Sequence, residues 1–265
     1  MAKGFDCAAP LTRTLAKKFK EDGYEFVCRY LVPSGWKRLT QAEAVAISAA
    51  GLQIVSVYET TASRALGGRA AGLTDGAIAA QTALAVGQPA GSRIYFAVDF
   101  DASAKQMDTV IQYITAAGEA ARNYQSGVYG SVTVIEAAMG AKACTGFWQT
   151  YAWSKGRKAE GIHLYQYDNG PKGLGQPVHG VNVDLNQSSG EAGWWSTQSA
   201  AVPVPGNANG EGKDYMMKKE DAGKIIAFLQ AAYMAAGNAE SGKEFHRLAN
   251  ELRKASGQAA DPNNR

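Results

Sequence analysis

Asp99 and Asp101 flank Phe100 at the end of an apolar run, Ile94-Tyr95-Phe96-Ala97-Val98. Side chains alternate along an extended strand, so the two carboxylates would share one face while Phe100 takes the other. Carboxyl groups at short range do not both ionise easily. One keeps its proton toward neutral pH and can act as a general acid while its neighbour stays charged. Glycosidic cleavage needs that equipment: an acid to protonate the leaving oxygen, and a second carboxylate as nucleophile, base or electrostatic support.

Three more acids end strand-like runs: Asp6, Glu59 and Asp184. Aromatic residues accompany them, with Tyr30, Tyr58, Tyr129 and Trp148 the candidates to stack on the apolar face of a sugar ring. Arg29 and Gln166 are the candidates to hydrogen-bond hydroxyl or acetamido groups, and Gln149 is a further one. Taken singly, each acid could instead cap a helix or pair with a base, and each aromatic could be core. A carboxylate cluster also suits Mg²⁺ or Ca²⁺, but the EF-hand spacing is missing, so no metal or other cofactor is expected. His163, His179 and His246 lie outside any HExxH or triad-like context, and there is no GxSxG elbow.

These residues need elements to bring them together. Short β-branched or aromatic runs recur at 4–7, 25–31, 53–59, 93–101, 126–131, 146–153, 162–167 and 181–185. Amphipathic Ala-rich stretches at 11–21, 40–50, 74–86 and 104–123 read as helices. Thr40-Gln41-Ala42-Glu43 has the form of a capping box, and Gly51 and Gly87 are left-handed stops. Alternation of this kind predicts a parallel sheet, and eight strands predict its closure as a (β/α)8-type TIM barrel over residues 1–196. The strand ends would then meet at one mouth. Beyond the fifth strand the connections shorten, and those between strands six, seven and eight carry Gly and Pro without a helical period, so the second half should be strand-rich and irregular and the helices about five in all.

From Thr197 the composition turns to Pro, Gly and Asn, which predicts a linker over 197–213. Helical periods at 218–236 and 241–256 predict a two-helix module over 214–256, and 257–265 reads as a disordered tail. Ile225, Phe228, Leu229 and Ala232 form one apolar face, and Phe245, Leu248 and Leu252 the other. So small a module should dock, bind a ligand or self-associate.

The 265-residue chain is 46% hydrophobic and 19% charged, with a net charge of +3. That balance builds a globular core, and no basic stripe marks a nucleic-acid partner. No apolar run is long enough to span a membrane. The N-terminus has neither an apolar stretch nor a cleavage site, so the expectation is cytoplasmic synthesis without a signal peptide. Cys7, Cys28 and Cys144 read as buried free thiols, with a Cys7–Cys28 pair left open because both end neighbouring strands.

Residues 4–188 resemble a glycoside-hydrolase-like barrel family of bacterial and phage proteins related to the family 25 lysozymes. The likeness rests on Gly4-Phe5-Asp6, Arg29-Tyr30-Leu31, the run from Ile94 to Asp101, Gly127-Val128-Tyr129-Gly130-Ser131, Trp148-Gln149-Thr150-Tyr151-Ala152-Trp153, Tyr165-Gln166-Tyr167 and Val183-Asp184. It implies a peptidoglycan-directed N-acetylmuramidase in which Asp6, Asp99 and Asp184 match family acids. The family's fourth strand ends in Asp-x-Glu, with the Glu as acid; Asp101 stands there one methylene shorter, and Glu59 is the alternative acid. The C-terminal part looks like the helical tails of phage lysins, which implies a wall-binding module and action on the wall after release by lysis. A catalytically silent, glycan-binding barrel is the competing expectation.

Overall fold

The computed structural model describes residues 1–198, 218–220, 222, 223, 225, 226, 247–254 and 256–259. Seven strands run parallel in chain order: β1 (Ala2–Asp6), β2 (Phe26–Tyr30), β3 (Gln53–Tyr58), β4 (Arg93–Ala97), β5 (Gln125–Gly130), β6 (Gly146–Thr150) and β7 (Leu164–Asp168). A short β8 (Gln176–Val178) forms a hairpin with β9 (Val181–Ser188), and β9 closes the barrel between β7 and β1.

All eight expected strands are present, but the expectation of an all-parallel sheet fails at the last. β9 is antiparallel to both β1 and β7. A parallel return needs a crossover, usually through a helix. The chain between β7 and β9 instead holds a 3-10 turn at Pro171–Gly173 and the β8 strand. It can only fold back on itself.

Five α-helices cover the outside: α1 (Arg13–Glu21), α2 (Gln41–Ala49), α3 (Gly68–Val86), α4 (Met107–Ala120) and α5 (Val132–Ala141). Thr12 and Thr40 cap α1 and α2, accepting from the backbone N–H of Leu15 and Glu43. The capping box at α2 is only half made, because the Glu43 carboxylate turns inward to Arg29. α3 starts earlier than its sequence suggests. Its glycines resemble breakers but serve contact: a Cβ on Gly72 would stand 2.3 Å from the Tyr113 carbonyl oxygen, and one on Gly76 would stand 2.2 Å from that of Ala117. They let α3 lie closely against α4.

Strand alternation sorts the core into two layers. Phe26, Cys28, Val55, Val57, Tyr95, Ala97, Trp148 and Leu164 fill the barrel interior. Val27, Leu31, Ile54, Tyr58, Phe96 and Val128 pack outward among the helices. Cys28 is therefore inside and Cys7 outside; with Cys144 they are buried free thiols, and the optional Cys7–Cys28 pair does not form.

The chain divides into two units, Met1–Pro205 and Gly206–Arg265. In the second, the described residues between 219 and 226 and all of 247–254 are helical. Ala222 and Ile226 are buried there, whereas Ile225, expected on the apolar face, is exposed. Phe228, Leu229, Ala232, Phe245 and nearly all of the expected linker lie outside the described residues.

Candidate active site

A cavity of about 90 Å³ opens at the C-terminal ends of the parallel strands, and Asp6, Glu59, Asp99 and Asp184 all line it. Each acid arrives by strand phase. Val55 and Val57 point inward on β3, so Glu59 does too; Tyr95 and Ala97 do so on β4, and Asp99 follows them. Asp184 comes by another route than the one expected. Because β9 runs antiparallel, the early part of that strand, not its end, reaches the rim, where Asp184 pairs in register with Asp6.

Two amides hold Asp6. Gln166 Nε2 donates to Asp6 Oδ2 at 2.9 Å and to Asp184 Oδ2 at 3.1 Å. Its own oxygen accepts from the hydroxyls of Tyr129 (2.9 Å) and Thr150 (2.8 Å), which turns the amide N–H groups toward the acids. Asn186 Nδ2 donates to the same Asp6 oxygen at 2.7 Å.

Burial is the largest influence on both acids. It pushes Asp6 up to about 6, against the lowering effect of Gln166 and Asn186 and with Glu59 and Asp99 adding to the rise. Asp184 is pushed up to about 8 by burial and by the charges of Asp6, Asp99 and Asp168. The two titrate as a linked pair whose raised affinity lets the site hold a proton toward neutral pH. Burial, then Glu59, also raises Asp99, with Lys37 opposing. Lys37 reaches in from the loop after β2: its Nζ is 3.4 Å from Glu59 and 4.5 Å from the centre of the Tyr30 ring.

Of the expected binding residues, Tyr30, Tyr129, Trp148 and Gln166 line the cavity. Three expected site residues do not. Arg29 faces outward, fully buried, with Nε 2.7 Å from Glu43 Oε1. The alternation that turns Tyr30 inward turns its neighbour out. Tyr58 is likewise out of phase with Glu59 and packs outside the barrel against Phe96. Asp101 is exposed and lies off the cavity, because β4 ends at Ala97 and the strand phase does not extend past Asp99. Gln149 pins a loop by donating to the Arg157 carbonyl and accepting from Ala159 N–H.

Asn186, Thr150 and Lys37 were absent from the sequence-based set. Asn186 was findable, since Asp184 and Asn186 are two residues apart on one strand and must share a face. Lys37 sits in an irregular loop with no periodicity to announce it.

Three solved structures show what the chain is similar to. The Tat-secreted protein Rv2525c of Mycobacterium tuberculosis, solved with L-tartrate, is 26% identical, with a TM-score of 0.65 over 74% of this chain and 99% of its own. A B. stearothermophilus protein is 21% identical, with a TM-score of 0.56 over 72% and 98%. A glycosyl hydrolase 25 of Streptococcus pneumoniae is 10% identical, with a TM-score of 0.48 over 71% and 87%. No curated protein sequence matches significantly. The mycobacterial relative is Tat-secreted, which runs against the expectation of a protein kept in the cytoplasm until lysis. The family model for this fold matches residues 17–258, and the chain thus belongs to the Rv2525c-like, glycoside hydrolase-like domain family.

Proposed function

We propose that the protein is an exported glycosidase that cleaves the glycan strand of peptidoglycan, with Asp184 as proton donor and Asp6 and Asp99 as the charged carboxylates. One observation carries this reading: four acids converge on one small cavity, where burial and mutual repulsion raise Asp184 and two amide donors steady Asp6. A general acid must hold its proton at working pH and its partner must not. Burial keeps Tyr30 and Tyr129 neutral; the Tyr129 hydroxyl donates to Gln166, and the Tyr30 hydroxyl stays a donor at the cavity wall. Secretion of the mycobacterial relative supports a site of action outside the cytoplasm, and the second unit is proposed to hold the enzyme on the wall.

The test is release of reducing sugar from purified cell walls by the wild type and by Asp184→Asn, Asp99→Asn and Asp6→Asn. Losing a general acid should lower the rate about 10²- to 10⁴-fold, and undiminished release by all three variants refutes the assignment. A second reading, a glycan-binding barrel without catalysis, is favoured by the exposed Asp101 at the position of the acid Glu in the lysozyme resemblance. Wall binding without any reducing sugar released decides for it.

A further inference from the structure

The acid cavity is smaller than a glycan chain. At about 90 Å³ it can take the one sugar ring whose bond meets the acids, but not the rest of a glycan chain. It opens into a groove of about 530 Å³ with which it shares Asp6, Tyr30 and Asp184. That volume lies in the range of ligand sites, about 300–1,000 Å³.

Two exposed apolar side chains line the groove: Trp36, 72% exposed, from the loop after β2, and Leu174, 68% exposed, from the β7–β8 connection. Among the described residues Trp36 is the most exposed aromatic. An indole left in water beside buried acids marks a binding surface rather than a packing one. Gly173, Gly175 and Gly180 also line the groove, so no side chain stands above the backbone there. Lys37, which follows Trp36 in the chain, contacts Glu59 and Tyr30 of the cavity, so one short segment borders both compartments.

We infer that Trp36 is a specificity-determining residue, stacking on a sugar of the glycan chain laid along this groove, so that the protein selects polymeric strands over single disaccharides. The inference rests on the glycosidase reading and adds direction and length to it. Stacking on Trp36 holds the chain while Asp6 and Asp184 meet the bond to be cut.

The experiment uses soluble N-acetylglucosamine–N-acetylmuramic acid oligomers, disaccharide and tetrasaccharide, titrated by calorimetry into the full chain carrying Asp184→Asn so that nothing is consumed. The tetrasaccharide should bind more tightly than the disaccharide. Adding Trp36→Ala should weaken the tetrasaccharide about 3- to 10-fold while leaving the disaccharide within about 2-fold, and Trp36→Phe should recover most of the loss. So exposed a side chain can be removed with little effect on stability, which a melting curve checks. Equal affinity for the tetrasaccharide with and without the indole overturns the inference, and so does failure of both oligomers to bind. Trp36-dependent binding combined with no cleavage by the wild type sinks the glycosidase reading alone; cleavage that ignores Trp36 sinks the groove alone.

Discussion

The indole N–H of Trp148 donates to the side-chain oxygen of Asn186 at 2.8 Å in the depth of the barrel. Tryptophan can only donate, so this bond settles which way the Asn186 amide faces: its NH₂ must point at Asp6. A residue that looks like core packing thus sets the charge state of a carboxylate one contact away. Asp6 accepts from Asn186 and Gln166 while burial and two acids press it toward neutrality.

Trp148→Phe keeps an aromatic ring in the barrel but deletes the N–H donor along with the five-membered ring. Asn186 is then free to turn, and Asp6 loses part of a hydrogen bond to a charged group, a class worth about 1.5–3 kcal/mol. At about 1.4 kcal/mol per pKa unit, the apparent pKa of Asp6 should rise by up to about one unit. The acidic limb of the kcat/KM–pH profile should move upward by that amount, with the limb set by Asp184 shifting less. A profile superimposable on that of the wild type would mean that Asn186 does not hold Asp6.

Asp99 and Asp101 should part company on substitution. Asp99→Asn removes a carboxylate from the cavity wall and should cost at least about 10²-fold in turnover. Asp101→Asn alters an exposed side chain and should leave both turnover and melting temperature nearly unchanged. Parallel assays on cell walls check both, and a large loss in Asp101→Asn would return that residue to the mechanism.

Strand phase decides most of what could be read from sequence here. Period-two alternation brings Glu59 and Asp99 to the mouth, and the same rule forbids Arg29 alongside Tyr30, or Tyr58 alongside Glu59. Choosing within each pair requires knowing which face is interior, and apolar runs such as Phe26-Val27-Cys28, buried on both faces, do not say. Asp101 was misplaced for a different reason, since alternation holds only while the strand continues. Asp184 is legible in the sequence although β9 runs antiparallel, because an acid early in an antiparallel strand and one late in a parallel strand reach the same rim. Periodicity locates the first four helices, except where Gly68, Gly72 and Gly76 trade propensity for close packing at the start of α3, and it does not locate α5.

Arg29 should matter to stability and not to binding. Its guanidinium donates to both Glu43 oxygens and to the Cys7 carbonyl, all in the layer between barrel and helices. Arg29→Met leaves Glu43 buried without its counter-charge, and breaking such a pair costs about 3–5 kcal/mol. Denaturant melts should show that loss, while the affinity of the still-folded protein for glycan fragments stays as it was. A stable variant with weakened binding would restore Arg29 to the site.

The linked acids also predict how stability depends on pH. Asp6 and Asp184 titrate near 4 in the unfolded chain and higher in the folded one, Asp184 at about 8. Between these limits the folded state holds more protons than the unfolded state, so stability falls as pH rises from about 4 to about 8. Below that window both states are protonated and the acids are neutral in effect. Above it the folded barrel must carry the charges against burial and against each other. Asp184→Asn removes one of them while keeping the shape and leaving an amide near Gln166. It should raise the melting temperature most at pH 8 and above, by about 2–4 °C if the relief is about 1 kcal/mol, and by almost nothing near pH 4. In the wild type, activity should fall over the upper part of the same window as Asp184 loses its proton. Calorimetric melts of both proteins across this range check the sign: a gain from Asp184→Asn that is largest at low pH would place the proton elsewhere in the cavity.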